Sequence, residues 1–514
     1  MTTREIRPTV LIILDGWGVA SDSEGNAITR AFTPYYDEIC RRYPRTLLNA
    51  AGVHVGLAEG VAGNAELGHM NLGAGRVVKT VFSRIQDAVV DGGFFDNSVI
   101  RAAIGSAVSR GSKIHLVGLL SDADVHSSME NLYALLRMAK RDGASEAYVH
   151  AILDGRDVLP RTADVYTEAL EIKIADIGIG KIASLCGRFY AMDSSENWER
   201  TARAFTMMVH AEGERASDPV TAVRSSFLRG ISDEFISPIV IESSPGVPVA
   251  TVADGDLVIF FNHRADTMRQ LARSIAVPDQ GLVTPSAKPR VEAVCLAEYD
   301  RAFNLPVAFP PRHERGGLAD AFDANSVINF RISETDRFPH VSSFLNCGLE
   351  AMSPFEQHIE IPAGDTSNRE TEPEMRSFKV TDRLIRKIES DPSAVFIVNY
   401  PVPGLIAETG NLDRTIEAAQ YIDTCLGGVL EKIREVNGIA VITASHGNAE
   451  SLIASNGEPD RLATPNPVPF HIIDESSAGV GLRTGGSLQD VAPTLLGILG
   501  IQAPEEMTGR DLRF

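Results

Sequence analysis

The hydrophobic positions of this chain fall mainly in short unbroken runs, and each run ends on a polar tip. Val10-Leu11-Ile12-Ile13-Leu14 stops at Asp15-Gly16-Trp17-Gly18. Residues 114–120 stop at Ser121-Asp122-Ala123-Asp124-Val125-His126, residues 147–153 at Asp154-Gly155-Arg156-Asp157, and residues 181–186 at Gly187-Arg188-Phe189-Tyr190. The same happens at Asn262-His263-Arg264-Ala265-Asp266, at Asn399-Tyr400-Pro401 and at Ala444-Ser445-His446-Gly447-Asn448. Apolar runs of this length without polar alternation predict strands buried on both faces. Helical spacing over 128–140, after Asp266 through Leu271, and over 487–496 supplies crossover elements. The pattern predicts an α/β fold with mostly parallel sheets. In such sheets ligands sit beyond the carboxyl ends of the strands, which is where the polar tips fall.

One stretch breaks this grammar. Gly63-Asn64-Ala65-Glu66-Leu67-Gly68-His69-Met70-Asn71-Leu72-Gly73-Ala74-Gly75 crowds four glycines, two asparagines, a glutamate and a histidine together. It reads either as a loop whose N–H groups turn toward an anion or as a tight connection needing positive φ. A second irregular stretch, Phe309-Pro310-Pro311-Arg312-His313-Glu314-Arg315-Gly316-Gly317, reads as a linker. With a further boundary at 76–79, the segment 79–313 becomes an inserted domain, and 1–78 and 314–514 share one sheet. A length of 514 residues agrees with more than one domain.

Composition narrows the partners. With 44% hydrophobic and 23% charged residues, the chain is expected to be a globular protein with a large core. No apolar run approaches a membrane span, and the N-terminus leads directly into a strand without a signal-peptide pattern, so a cytoplasmic protein is expected. The five cysteines form no C-x-x-C pair, which argues against a disulfide framework or a thiolate zinc site. A net charge of −20 excludes nucleic acid and anionic membranes as expected partners. A small anion needs cations gathered locally, and His126, Arg156, Arg188 and Arg264 stand at four strand ends of one segment.

The strings Leu14-Asp15-Gly16-Trp17-Gly18, residues 63–78, Asp154-Gly155-Arg156-Asp157, Gly187-Arg188-Phe189-Tyr190-Ala191-Met192-Asp193 and Trp198-Glu199-Arg200 resemble cofactor-independent phosphoglycerate mutase, of the alkaline phosphatase superfamily. Pro339-His340-Val341, Pro373-Glu374-Met375, His446-Gly447-Asn448-Ala449-Glu450 and Asn466-Pro467-Val468-Pro469 extend the likeness over nearly the whole chain. The resemblance implies a phosphatase-like domain holding two Mn²⁺ ions and an inserted domain that grips the substrate. It also implies a serine that takes the phosphoryl group of 3-phosphoglycerate and returns it to the other hydroxyl, and a monomer.

At several of the implied positions this chain departs. The nucleophile position reads Ala65, which has no oxygen to phosphorylate. The ligand positions of one ion read Asp15, Ala65, Ser445 and His446, and those of the other Gly404, Glu408 and Ala463, so only Asp15 and His446 match. No cofactor is therefore expected unless the chain is a working mutase, in which case two manganese ions are. A single ion held by Asp15, Glu408, Ser445 and His446 is a further alternative. The implied substrate contacts His126, Arg156, Asp157, Arg188 and Arg264 are all present, whereas others read Ser194, Thr267 and Arg337. Guanidinium groups suit a carboxylate or phosphate because each can bond two oxygens.

The expected function is that of a divergent homologue binding a small phosphorylated or phosphonate-bearing carboxylic acid, acting as a metal-independent enzyme. His446, Asp15, Glu408 and His126 are its acid–base candidates. A non-catalytic ligand-binding protein and a phosphoglycerate mutase with a remodelled site remain the alternatives.

Overall fold

Strand Thr9–Leu14 is buried along its whole length because it has a parallel neighbour on each side. Val395–Tyr400 and Ile439–Ala444 pair with it in register, Leu14 opposite Tyr400 on one side and Ala444 on the other. With no face left for water, all three strands take apolar residues without alternation. They form the middle of an eight-stranded sheet in the order Glu356–Ile361, Asn329–Glu334, Val395–Tyr400, Thr9–Leu14, Ile439–Ala444, Val468–Ile473, Arg45–Asn49, Gly486–Ser487. The first five strands run parallel, and Val468–Ile473 is antiparallel to both its neighbours.

This computed structural model describes residues 7–277, 288–312, 315–349, 353–362, 373–454, 456–477 and 481–514. The chain divides into one compact unit of Met1–Thr80 with Arg312–Phe514 and another of Val81–Pro311. The boundary expected at 313–314 lies outside the described residues. Both sheets are mostly parallel with helices between the strands, the α/β class read from the sequence. Among the described residues no helix is long and apolar enough to cross a membrane.

The second unit repeats the design. Its sheet runs Glu292–Cys295, Leu257–Phe260, Ile114–Leu120, Tyr148–Leu153, Lys181–Gly187, Ile239–Ser244, Glu214–Ala216, with Val247–Pro248 beside Ile239–Ser244. The first five strands are parallel, so their five carboxyl ends open on the same edge. Helix Met129–Arg141 follows the first of the long strands in sequence, close to the 128–140 expected.

The glycine-rich stretch is not a loop. Residues Ala65–Ala74 form an α-helix, capped by the Asn64 side chain accepting from the Leu67 N–H and ended by Gly75 at φ +63°. Its inner glycines answer to packing: a Cβ on Gly68 would stand 2.3 Å from the Ser445 carbonyl oxygen, and one on Gly73 1.8 Å from that of Leu345. The helix is thereby pressed directly onto the strand-end backbone. Gly68→Ala is expected to destabilise by about 1–3 kcal/mol in urea unfolding, because backbone has to move. Gly105→Ala, in helix Ser98–Arg110 with open space where its Cβ would go, is expected to stabilise by about 0.5–1 kcal/mol.

Candidate functional site

In the first unit the in-register strands deliver their next residues side by side. Asp15 follows Thr9–Leu14, Ser445 and His446 follow Ile439–Ala444, and Asn399 lies near the end of Val395–Tyr400. Asn399 Nδ2 donates to Asp15 Oδ2 at 3.0 Å, and Ser445 Oγ donates to Asp15 Oδ1 at 2.5 Å. Having given its proton to Asp15, Ser445 Oγ accepts from His446 Nδ1 at 2.9 Å, so the His446 ring carries its hydrogen on Nδ1. Burial raises the Asp15 carboxyl, but His69, His340 and His446, which gain positive charge in acid, together with the Ser445 hydroxyl bring it down to about 2. Asp15 is an anion at neutral pH.

Two histidines that sequence reasoning left unassigned join this cluster. His69, on helix Ala65–Ala74, gives its Nδ1 hydrogen to the Ala65 carbonyl at 2.8 Å, with Nδ1 3.9 Å from Asp15 Oδ1. His340 opens a π-helical turn, His340–Phe344, and bonds through Nδ1 to the Arg337 carbonyl at 3.1 Å. The two rings meet edge to face at 5.1 Å, and each leaves a buried Nε2 without a partner. Burial lowers the pKa of both, that of His340 to about 4, so these nitrogens are lone-pair donors at neutral pH. Their motif strings, Gly68-His69-Met70-Asn71 and Pro339-His340-Val341, were the only signal, and it is a weak one.

A third unassigned group is Glu334, the last residue of strand Asn329–Glu334 and 1% exposed. Burial pushes its carboxyl up to about 7, against the nearby Arg376 at 3.4 Å. A carboxyl titrating near neutrality at a strand end suits proton transfer. Glu408 stands at the C-cap of helix Val402–Ala407 and faces Arg337 at 3.6 Å, at the rim rather than within the buried cluster.

In the second unit, His126, Arg156, Asp157, Arg188 and Arg264 all lie just past the ends of four adjacent parallel strands. Arg188 begins the short helix Arg188–Ala191 and is 7% exposed. Its guanidinium donates to Asp154 Oδ1 at 2.6 Å, to Asp157 Oδ2 at 2.5 Å and to His126 Nε2 at 2.9 Å. His126 Nε2 therefore carries the lone pair and Nδ1 the hydrogen, which goes to Thr267 Oγ1 at 3.0 Å. Burial and the Arg188 charge bring the His126 pKa down to about 4. With both nitrogens committed, His126 positions Arg188 in this arrangement and has no free atom for acid–base work.

Asp154, quoted in the motif but not nominated, organises this cluster. It accepts from Ser121 Oγ at 2.7 Å and from the Arg156 and Asp157 backbone N–H groups at 3.2 and 3.1 Å. Arg264 chelates Asp266 at 3.1 and 3.2 Å with its side chain 52% exposed, and Arg156 is exposed. Arg188 thus faces Asp154 and Asp157 and Arg264 faces Asp266, and the two exposed arginines, Arg156 and Arg264, are the cations an incoming anion can recruit at least cost.

Comparison with known proteins places these clusters in context. Residues 85–301 match the family described as BPG-independent PGAM N-terminus. The chain is 42% identical over 98% of its length to the 2,3-bisphosphoglycerate-independent phosphoglycerate mutase of Moorella thermoacetica, covering 98% of that protein. It is 44% identical over 98% of its length to the enzyme of the same name from Desulforudis audaxviator, covering 99% of it. A solved structure of Leishmania mexicana phosphoglycerate mutase at low cobalt concentration superposes with a TM-score of 0.76 at 27% identity, covering 100% of this chain and 99% of that one.

These relatives overturn one expectation. That no cofactor is used does not stand beside full-length kinship to such mutases, one of which is solved in the presence of cobalt. Among the described residues no three His, Cys, Asp or Glu side chains are placed to hold a metal together. Asp15 and the bare Nε2 atoms of His69 and His340 are nevertheless ligand chemistry, and an orphaned buried lone pair is an acceptor awaiting a partner. As placed, the described residues do not form a two-ion cradle.

Glu334 makes a separate contribution to the pH response of the first unit. Its folded-state pKa is raised, so the stability it contributes is full below about pH 4.5 and is lost as pH rises through about 7. Glu334→Gln is expected to stabilise the protein at pH 8 by on the order of 1–3 kcal/mol. The gain should shrink toward pH 5 when denaturant midpoints are compared across the range.

Proposed function

Because the chain belongs to the 2,3-bisphosphoglycerate-independent phosphoglycerate mutase family, we propose that it binds a small phosphorylated or phosphonate-bearing hydroxycarboxylic acid through the arginine cluster of residues 81–311. The observation that carries this reading is Arg188, a nearly buried guanidinium fixed by Asp154, Asp157 and His126 beside the exposed Arg156 and Arg264. A fixed guanidinium presents its remaining N–H groups to oxygen without first losing side-chain entropy. Asp157, as a carboxylate, accepts from a substrate hydroxyl, and Arg156 and Arg264 supply the charge for the phosphate or phosphonate and the carboxylate. Arg264 exchanges Asp266 for the ligand, an exchange between two half-exposed groups.

The chemistry proposed for the first unit differs from the family's covalent route, since residue 65 has no hydroxyl. The groups available for moving protons there are Glu334, near its titration point, and the His446 ring held by Ser445. The Arg337 cation, 22% exposed at its side chain, supplies positive charge toward the same cluster. The resemblance also supports a second reading, that the chain binds without turnover, because Ala65 replaces the acceptor of the phosphoryl group.

Calorimetric titration with 3-phosphoglycerate and a panel of phosphono-carboxylates tests the site. Arg188→Ala should weaken binding about tenfold or more, and Arg188→Lys, which keeps charge but loses the fork, should fall between. The same samples, incubated with and without Mn²⁺ or Co²⁺ and then denatured, should yield no phosphorylated side chain by mass spectrometry. Interconversion of 3- and 2-phosphoglycerate through a trapped phosphoryl-protein would refute the departure from the family route. Undiminished binding by Arg188→Ala would refute the site.

A further inference from the structure

Beside the turn that follows strand Thr9–Leu14 lies a cavity of about 640 Å³ that neither cluster uses. Its wall is aromatic: Tyr36 meets Trp17 edge to face at 5.1 Å and His471 at 5.6 Å. Aliphatic surface from Val19, Ile28 and Leu47 completes it. This volume is within the roughly 300–1,000 Å³ range of small-molecule sites.

The polar atoms around the cavity divide into spent and unspent. Asn26 Oδ1 caps helix Ala27–Arg30 through the Ile28 and Thr29 N–H groups, and Thr29 Oγ1 donates to Asp22. His471 Nδ1 has no hydrogen-bond partner although its side chain is 1% exposed, whereas the Trp17 indole N–H is turned to the Tyr36 hydroxyl. An imidazole nitrogen buried without a partner needs an explanation, and an occupant supplies one. Arg45, the exposed first residue of strand Arg45–Asn49, brings a single cation to the rim. Burial and the Arg45 charge bring the His471 pKa down to about 3, so the ring adds no second positive charge.

We infer that this cavity is a second small-molecule site, built for an aromatic or branched apolar monocarboxylic acid. Its carboxylate meets Arg45 at the rim, and its body lies along Trp17, Tyr36 and His471. One guanidinium against an apolar wall selects a monoanion, because a dianionic phosphate would bring a second charge with no partner. Trp17 shares its turn with Asp15, and the Gly16 carbonyl of that turn accepts from the Asn448 and Ala449 N–H groups. An occupant therefore bears directly on the backbone that carries Asp15.

The test is a calorimetric titration of the full chain with 1-naphthylacetate, with 2-(1-naphthyl)ethanol and 1-naphthyl phosphate as comparators. The acid is expected to give a single-site isotherm, quench tryptophan fluorescence, and bind about tenfold or more tightly than either comparator. Arg45→Ala, at an exposed position, should lose about tenfold of that affinity with an unchanged circular dichroism spectrum. Arg45→Lys should keep most of it, and Trp17→Phe should weaken it by removing part of the aromatic wall. Absence of binding at millimolar acid, equal binding of the alcohol, or tighter binding of the phosphate overturns the assignment. So does displacement by 3-phosphoglycerate, which would place the acid in the anion cluster instead, or an Arg45→Ala variant that binds as the parent does.

Discussion

The in-register parallel pairing of strands Val395–Tyr400, Thr9–Leu14 and Ile439–Ala444 is the constraint on which the first cluster depends. Register in a parallel sheet fixes which residues emerge together at the carboxyl edge, and a slip of one residue would turn every side chain to the opposite face. Here it sets Asp15 beside Ser445 and brings the Asn399 side chain within hydrogen-bonding reach. Helix Ala65–Ala74 then closes on that edge only because Gly68 lets it touch the Ser445 carbonyl. The second unit uses the same device: parallel strands ending at residues 120, 153, 187 and 260 hold an aspartate–arginine–histidine cluster together.

How far the sequence shows these elements follows from how their polar residues are spent. Strands such as Thr9–Leu14, Ile114–Leu120 and Tyr148–Leu153 are legible because burial on two faces leaves little that is polar inside them beyond Thr9 at the start and the paired His115 and His150. Asn329–Glu334 is equally buried, yet it reads Asn-Phe-Arg-Ile-Ser-Glu and resists recognition. Its Arg331 is 0% exposed, and its partners are Asn329 within the strand and Glu356 on the neighbouring strand, at 2.9 and 3.2 Å. A polar pattern that is satisfied only by tertiary contacts carries no local signal. The helix at Ala65–Ala74 is hidden for the opposite reason. Its glycines lower helix propensity, while its Asn64 cap and Gly75 stop were in plain view.

The candidate residues differ in the same way. His126, Arg156, Arg188 and Arg264 stand at strand tips, where position alone suggests a ligand. His69 and His340 sit inside a helix and a π-turn, and only folding shows that both rings converge on Asp15. The three rings follow one rule, giving the Nδ1 hydrogen to an oxygen and keeping the lone pair on Nε2. For His126 that lone pair is spent on Arg188, which makes it a support for the anion cluster. For His69 and His340 it is unspent, so two open lone pairs of the first unit lie on ring nitrogens that the sequence pattern does not mark.

Ser445 shows how a single residue type can set the charge of such a cluster. The resemblance pairs this position with an aspartate, and a carboxylate in its place would set a second negative charge against Asp15 Oδ1, where the hydroxyl oxygen now lies at 2.5 Å. Two carboxylates at that range cannot both ionise in a buried site without a cation between them. Serine turns the repulsion into a donated hydrogen bond and, through the same oxygen, orients His446. The charge of His69, His340 and His446 keeps Asp15 an anion although it is 3% exposed, and with Asn399 on the other side both of its oxygens also have donors. The electrostatic demand of this edge is therefore met at the carboxylate, and what remains open to a ligand is the lone-pair capacity of the histidines around it.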